Sequence, residues 1–151
     1  MENELQGLID QFLKILNLYE VLGRKPKDYG SGDLLYLTEV HTISVVGKNE
    51  SVNMTGLAEL MGVTRGAISQ TVRKLVSKGL ILKLNSRNRK EINLSLSEKG
   101  KVVFRGLELH QKEIFAFAEP LYKAARKEET ALVKRLFNNI SANLEQRVRQ
   151  S

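Results

Sequence analysis

The stretch that decides the fold runs from Met54 to Leu96, MTGLAELMGVTRGAISQTVRKLVSKGLILKLNSRNRKEINLSL. It begins with two short helical patterns, separated by a turn at Gly62-Val63-Thr64. In the second pattern, apolar residues fall at helical spacing on one side, at Ile68, Val72, Leu75 and Val76. Thr64 is suited to cap the start of this helix and Gly79 to end it. The sequence therefore predicts two helices joined by a tight turn.

After Gly79 the apolar residues change from helical spacing to the alternation typical of strands. The alternation covers Leu80 to Leu84 and again Ile92 to Leu96. Between these runs lies a polar loop, residues 85–90, with turn-forming Asn and Ser. Helix, turn, helix and hairpin together predict a winged helix-turn-helix, whose second helix can enter a major groove of DNA.

Charge supports a nucleic-acid partner. From Leu60 to Lys90 the chain has no acidic residue and eight basic ones, Arg65, Arg73, Lys74, Lys78, Lys83, Arg87, Arg89 and Lys90. Residues 1–59 instead have five basic residues against nine acidic ones. A positive charge concentrated in the helix and hairpin that would face DNA is the pattern expected of a DNA-binding surface. The alternative is a solvated basic face with no partner, although ordinary surfaces intersperse acids among their basic residues.

Several motifs along nearly the whole chain resemble the MarR (multiple-antibiotic-resistance regulator) family of transcription factors. They are Leu37-Thr38, Leu57-Ala58, Thr64-Arg65-Gly66-Ala67-Ile68-Ser69, Leu75 with Lys78-Gly79-Leu80-Ile81, and Leu96-Ser97-Glu98-Lys99-Gly100. The wing of this family usually has the pattern Asp-x-Arg-Asp-x-Arg. Here Asn85 and Asn88 replace both acids, and Lys90 replaces the last arginine.

The fold expected from the residues and from this resemblance is mainly α-helical with a small β-hairpin wing. We expect a single subunit over residues 1–151, with a winged helix-turn-helix lobe at 33–97 and dimerisation helices at 1–32 and 98–151. The predicted contacts to double-stranded DNA come from the two helices and the wing. They are Thr55, Thr64, Arg65, Gly66, Ser69, Gln70, Arg73, Lys74, Arg87, Asn88, Arg89 and Lys90.

Both ends of the chain carry apolar stripes at helical spacing. The first is Leu5, Leu8, Phe12, Leu16 and Tyr19, and the second is Val133, Phe137, Ile140 and Leu144. A small domain has no second layer to cover both stripes, so they predict a homodimer. The alternatives are a monomer in which the two helices pair with each other, or a first helix that packs within its own subunit.

The flanking helices carry their own boundary signals. Thr38 is predicted to cap a helix that ends at Gly47, and Ser97 to cap a long helix that Pro120 bends or ends. Residues 121–127 are predicted to connect that long helix to the last one.

Composition limits the other classes of function. The chain has 151 residues, 42% of them hydrophobic, and no cysteine, which excludes disulfides and thiolate metal sites. No run of apolar residues is long enough to span a membrane, and the N-terminus does not resemble a signal peptide, so a cytoplasmic protein without a membrane partner is expected. Only two histidines occur, and no catalytic motif stands out, which argues against an enzyme.

Two ligand sites remain as alternatives to weigh. Glu39, His41 and His110 are weak candidates for zinc ligands, because some MarR-like zinc sensors use Glu and His from these regions. His110 lies on an apolar stripe, however, and His41 is the third residue after Thr38, a local capping position. We therefore predict no metal and no cofactor. The resemblance also implies a small-molecule effector pocket, lined by Phe12, Tyr36, His41 and Phe104, although such residues belong more often to a core.

The function predicted from the sequence is an effector-responsive transcriptional repressor that binds a pseudo-palindromic operator as a homodimer. The alternative from another class is an architectural DNA binder, which would use the basic surface without sequence preference.

Overall fold

The structure is a computed structural model that describes residues 2–49, 51–85 and 92–150. Over these residues it contains seven helices and three short strands. In chain order they are α1 (Glu2–Gly23), α2 (Leu37–Lys48), β1 (Val52–Asn53), α3 (Met54–Met61), α4 (Arg65–Ser77), β2 (Ile81–Asn85), β3 (Ile92–Leu96), α5 (Glu98–Phe115), α6 (Ala118–Ala124) and α7 (Lys127–Gln150). The mainly helical architecture with a hairpin confirms the predicted fold class.

The three strands form one antiparallel sheet with β3 in the centre. On one side β2 pairs with β3, from Ile81 opposite Leu96 to Asn85 opposite Ile92. On the other side β1 pairs Val52 with Leu94 and Asn53 with Asn93. The strand β1 was not predicted, because two residues are too few to show an alternating pattern.

The apolar core lies between α2, α3, α4, the sheet and the first half of α5. Among the described residues, every fully buried apolar side chain falls between Leu35 and Leu107. On the strands Ile81 and Leu94 face this core, whereas Leu82 and Leu84 are about half exposed. The winged helix-turn-helix lobe therefore shares one closed core with the first half of α5.

Local capping fixes the two central helices as predicted. The Thr64 side chain accepts a hydrogen bond from Ala67 N, which caps α4. Gly62 and Gly79 adopt positive φ angles of 64° and 69°, which end α3 and the turn after α4. Ser97 caps α5 by accepting a hydrogen bond from Gly100 N. In addition, Asn53 caps α3, a role the sequence analysis did not assign.

The predicted start and end of α2 were wrong by one or two residues. The helix begins at Leu37, so Thr38 lies inside its first turn. Glu39 accepts a hydrogen bond from Tyr36 N at 2.9 Å, and this bond closes the turn before Thr38. Glu39, and not His41, is therefore the local capping residue. At the other end the helix passes Gly47 and stops at Lys48.

The connection around Pro120 also differs from the prediction. The long helix α5 already ends at Phe115, and Pro120 lies in the first turn of the separate helix α6. A proline fits that position, because the N–H groups of a first turn have no intrahelical partner. Residues 121–124 complete α6, so the true connection to α7 is only Ala125 and Arg126.

The terminal helices expose their apolar side chains. On α1 Leu8 is 64% exposed, and on α7 Leu144 is 50% exposed. Among the side chains that the structure describes on α6 and α7, none is fully buried. Over the part of the chain that the structure describes, no helix is both long enough and apolar enough to cross a membrane.

Candidate nucleic-acid interface

Helix α4 separates its residues into a buried side and an outward side. Ile68, Val72 and Leu75 are buried in the core. Their burial sets the rotation of the helix, so that its opposite face points to solvent. The outward face presents Arg65, Gln70, Arg73 and Lys74, all exposed. A helix with a fixed buried side and an exposed, acid-free basic side can lie in a DNA groove.

The other predicted contact residues on the two helices lie around this face. Thr55 is exposed at the start of α3, Gly66 is exposed in the first turn of α4, and Ser69 is half-buried. The Thr64 side-chain oxygen is occupied by its capping bond to Ala67 N, which leaves the hydroxyl hydrogen to donate. Arg73 Nε lies 3.4 Å from Ser69 O, so this side chain folds back along the helix.

The strands extend the basic surface toward the wing. β2 carries the exposed Lys83 and ends at Asn85, and β3 resumes at Ile92. The predicted wing contacts Arg87, Asn88, Arg89 and Lys90 lie outside the described residues.

Lys78 does not belong to the outward basic face, although the charge count included it there. Its Nζ lies 2.7 Å from Glu39 Oε1 and donates to Leu34 O at 3.1 Å. The Glu39 side chain is only 7% exposed, and that of Lys78 is 29% exposed. The unpaired positive charge of this region is therefore smaller than the sequence indicates, because Glu39 neutralises Lys78.

A second ion pair lies beside the first. Lys99 Nζ contacts Asp33 Oδ2 at 2.8 Å and donates to Lys78 O at 3.2 Å. The hydrogen bond from Lys99 lowers the pKa of the Asp33 carboxyl below its ordinary value. Neither ion pair was predicted from the sequence. One signal was available, since Glu39 is an acid next to the apolar positions of α2 at Val40 and Ile43, where a charge needs a partner.

His41 contacts α1. Its Nε2 lies 2.5 Å from the Tyr19 hydroxyl, and the two rings stack with centroids 5.8 Å apart. Burial lowers the pKa of His41 and raises that of Tyr19. This contact joins the first terminal helix to the winged helix-turn-helix lobe.

The four predicted effector residues are not equally sheltered. Phe12 and His41 are partly buried, Tyr36 is 54% exposed, and Phe104 packs against the core beside Gly47. A surface groove of about 560 Å³ lies nearby between the end of α2 and the second half of α5, but none of the four residues lines it. The effector pocket stays a prediction.

The three weak metal candidates have other neighbours. Glu39 pairs with Lys78, while the His110 ring nitrogens lie 3.1 and 3.3 Å from Lys27 Nζ. Within the described ranges, no group of three or more His, Cys, Asp and Glu side chains could hold a metal ion. The structure does not bring Glu39, His41 and His110 together.

Comparison with known proteins agrees with the winged helix-turn-helix arrangement. The model of the MarR family matches residues 35–92. A Bacillus subtilis (strain 168) protein, "Uncharacterized HTH-type transcriptional regulator YhjH", is 31% identical over 137 residues. The match covers 89% of this chain and 75% of that relative.

Solved structures give the same result for the fold. Streptococcus pneumoniae FabT in complex with DNA is 27% identical, with a TM-score of 0.64, over 93% of this chain and 94% of the other. Lactococcus lactis ZitR in complex with DNA has a TM-score of 0.68 at 18% identity, over 92% of this chain and 97% of the other. The similarity to ZitR is one of fold alone.

Proposed function

Because the chain belongs to the MarR family of transcriptional regulators, we propose that it is a repressor that binds a pseudo-palindromic DNA operator as a homodimer. The observation that carries this proposal is the outward face of α4, which is exposed, basic and free of acidic residues. A similar protein, Streptococcus pneumoniae FabT, was solved in complex with DNA, which supports the same partner for this chain.

The homodimer follows from the exposed apolar side chains of α1 and α7. Leu5, Leu8 and Leu16 on α1 are all about half exposed or more, as are Val133, Phe137 and Leu144 on α7. Contiguous exposed apolar surface of this kind marks an interface. A two-fold dimer places its two recognition helices about 34 Å apart, one turn of DNA, and so binds a palindromic site.

Within the recognition helix we assign two kinds of contact. Arg65, Ser69 and Gln70 contact base edges, because they stand near the N-terminal half of α4, which enters the groove first. Arg73 and Lys74 contact phosphates and supply affinity on any sequence. Repression follows when the bound dimer covers a promoter, and no step of this function is catalytic.

A small-molecule effector that releases the operator is part of the proposal. The Tyr19–His41 contact supports a site near the predicted effector residues, since it lies where α1 meets α2. A ligand that separates these two side chains would change how the terminal helices hold the winged helix-turn-helix lobe.

The test is footprinting on the DNA that flanks the gene for this protein, followed by competition with random DNA. We expect a symmetric protected region and a preference for that site of at least about a thousandfold. Protection without symmetry, or equal competition by random DNA, would instead favour the architectural DNA binder.

A further inference from the structure

We infer that Lys78 is a positioning residue: its pairing with Glu39 fastens the end of the recognition helix to the segment between α1 and α2, and it does not contact DNA phosphate. This inference rests on the proposed placement of α4 on DNA. It adds that Lys78 has a different role from the neighbouring basic residues, which we propose contact DNA.

The Lys78 side chain is held by two hydrogen-bond acceptors. Its ammonium group donates to a carboxylate and to a backbone carbonyl, at 2.7 Å to Glu39 Oε1 and 3.1 Å to Leu34 O. Since the carboxylate is almost fully buried, breaking the pair would leave an uncompensated charge in a poorly hydrated place. The ammonium group therefore stays with Glu39 instead of turning toward DNA.

Glu39 is itself held by a second hydrogen bond, from the start of α2. Its second oxygen, Oε2, accepts the hydrogen bond from Tyr36 N at the start of α2. One carboxylate thus joins the first turn of α2 to the end of α4. A carboxylate held by a backbone N–H and a lysine has little freedom to move, so it defines where Lys78 lies.

Lys99 forms an ion pair beside that of Lys78 and Glu39. From the start of α5, Lys99 binds the carboxylate of Asp33 and the main-chain oxygen of Lys78. Ser31 Oγ also donates to Asp33, at 3.1 Å. Consecutive residues of the segment before α2, Asp33 and Leu34, are therefore held by lysines from two different helices.

These contacts meet where α4 ends. Lys78 is the C-cap of α4, and its N–H bonds to Lys74 O. A cation at this position also interacts favourably with the negative end of the helix dipole. Base-edge hydrogen bonds require a defined helix orientation, so a loosened C-terminal end would weaken binding without removing a contact to DNA.

The segment held by Lys78 is also the connection to α1, which we place in the dimer. The end of α4 is thus connected to α1 through the segment between α1 and α2. A palindromic operator is bound by two recognition helices at a fixed spacing. This connection therefore affects how well the two helices of a dimer fit the two half-sites at the same time.

The experiment compares two substitutions that remove the same charge from neighbouring turns, Lys78→Gln and the matched control Lys74→Gln. Operator affinity is measured by fluorescence anisotropy over a series of salt concentrations. We expect Lys74→Gln to lower the slope of log K against log salt by about 0.9, as for one lost phosphate contact. We expect Lys78→Gln to weaken operator binding roughly tenfold with an unchanged slope.

The Glu39→Gln variant distinguishes an electrostatic effect from a positioning role, because the two predict changes of opposite sign in operator affinity. It raises the net charge of the protein, so a purely electrostatic effect would tighten binding to DNA. Positioning by the pair predicts weaker operator binding instead. Lys78→Arg keeps the cation and should restore most of the affinity. Thermal melting and sedimentation of each variant establish that it is folded and dimeric, and if Lys78→Gln does not fold, Glu39→Gln decides.

Three results would overturn the inference. A slope that falls equally in Lys78→Gln and Lys74→Gln would make Lys78 a phosphate contact. Unchanged or tighter operator binding by a folded Glu39→Gln variant would remove the positioning role. An unchanged slope in Lys74→Gln would contradict the phosphate contact that we assign to Lys74, and with it the proposed placement of α4 on which the inference rests, whereas the first two results leave that placement intact.

Discussion

The winged helix-turn-helix lobe and the terminal helices use similar apolar residues in opposite ways. Between Leu35 and Leu107 the apolar residues of α2, α4 and the sheet pack against one another, and many are completely buried. On α1 and α7 leucines at equally regular spacing stay about half exposed or more. Helical periodicity is therefore common to both regions. They differ because only in the lobe does a second layer of apolar residues cover the first.

This difference shows where the fold is complete. The lobe has its caps, its turns and its core within one chain, and over the described residues none of its buried side-chain polar atoms lacks a hydrogen bond. The terminal helices need a partner surface, which we propose is a second copy of the chain. Stability of the lobe should then depend on its own packing, and stability of the terminal helices on protein concentration.

The largest expected effect comes from charging the terminal helices. Replacing Ile140 and Leu144 with Asp places unpaired carboxylates in the proposed interface, which costs several kcal/mol or more of association free energy. We expect the unmodified chain to sediment as a dimer at micromolar concentration and the double variant as a 17.1 kDa species. Operator binding should be lost with the dimer.

The matched control for that experiment is Leu60→Asp. Leu60 on α3 is 57% exposed, close to the 50% of Leu144, but it belongs to the lobe. This variant should sediment like the unmodified chain. A 17.1 kDa species for the unmodified chain would contradict the dimer and the palindromic mode of binding.

The next effect distinguishes the two regions by stability. Leu75 is completely buried in the lobe, so Leu75→Ala should lower the free energy of unfolding by about 2–5 kcal/mol. This loss should not depend on protein concentration if the lobe holds its own core. Leu136→Ala on α7 should instead show a concentration-dependent loss, because Leu136 is 53% exposed within one chain. Chemical denaturation at two protein concentrations measures both losses. If the two losses depended equally on protein concentration, the proposed difference between the two regions would be wrong.

The lobe was the more predictable region because its signals are local. Thr64, Gly62 and Gly79 mark the turn and the end of α4 within a few residues, and each has the predicted role. The short strand β1 and the helix α6 could not be found in this way. Two residues of strand have no period, and Pro120 in the sequence indicated a break where the structure has a new first turn.

The candidate site was predictable to the extent that it depends on one helix. The outward face of α4 follows from its buried stripe, so Gln70 and Arg73 could be placed from spacing alone. The pairing of Lys78 with Glu39 could not, since the two residues are 39 positions apart and only tertiary packing brings them together. Counting charge along the sequence therefore overestimated the unpaired basic surface by this residue.

A smaller effect tests the proposed DNA-facing side of the lobe without altering its core. Gln70→Ala should cost about 1–3 kcal/mol on the operator and relax the preference at one base position. Lys74→Ala should weaken binding to operator and random DNA alike, because a phosphate contact carries no sequence information. Binding titrations on both DNAs measure the two variants. Equal losses on operator and random DNA for Gln70→Ala would contradict its assignment to a base edge.

The smallest effect concerns the point where the two regions touch, Tyr19 on α1 and His41 on α2. Burial lowers the pKa of His41 below its ordinary value of 6.5, so the folded protein binds this proton less readily than the unfolded chain. The neutral His41 therefore contributes stability that is fully present above the unfolded pKa and is lost as pH falls toward the folded pKa. We expect the free energy of unfolding to decrease as pH is lowered through this range.

His41→Gln should reduce that pH dependence, since glutamine does not titrate but can still accept a hydrogen bond from Tyr19. Tyr19→Phe is the control: it removes the hydrogen bond, whereas burial, the cause of the shifted pKa, largely remains. Denaturation between about pH 8 and about pH 5 compares the three proteins over the range in which histidine titrates. A pH dependence that is the same in His41→Gln as in the unmodified chain would mean that this contact between α1 and the lobe does not respond to protonation.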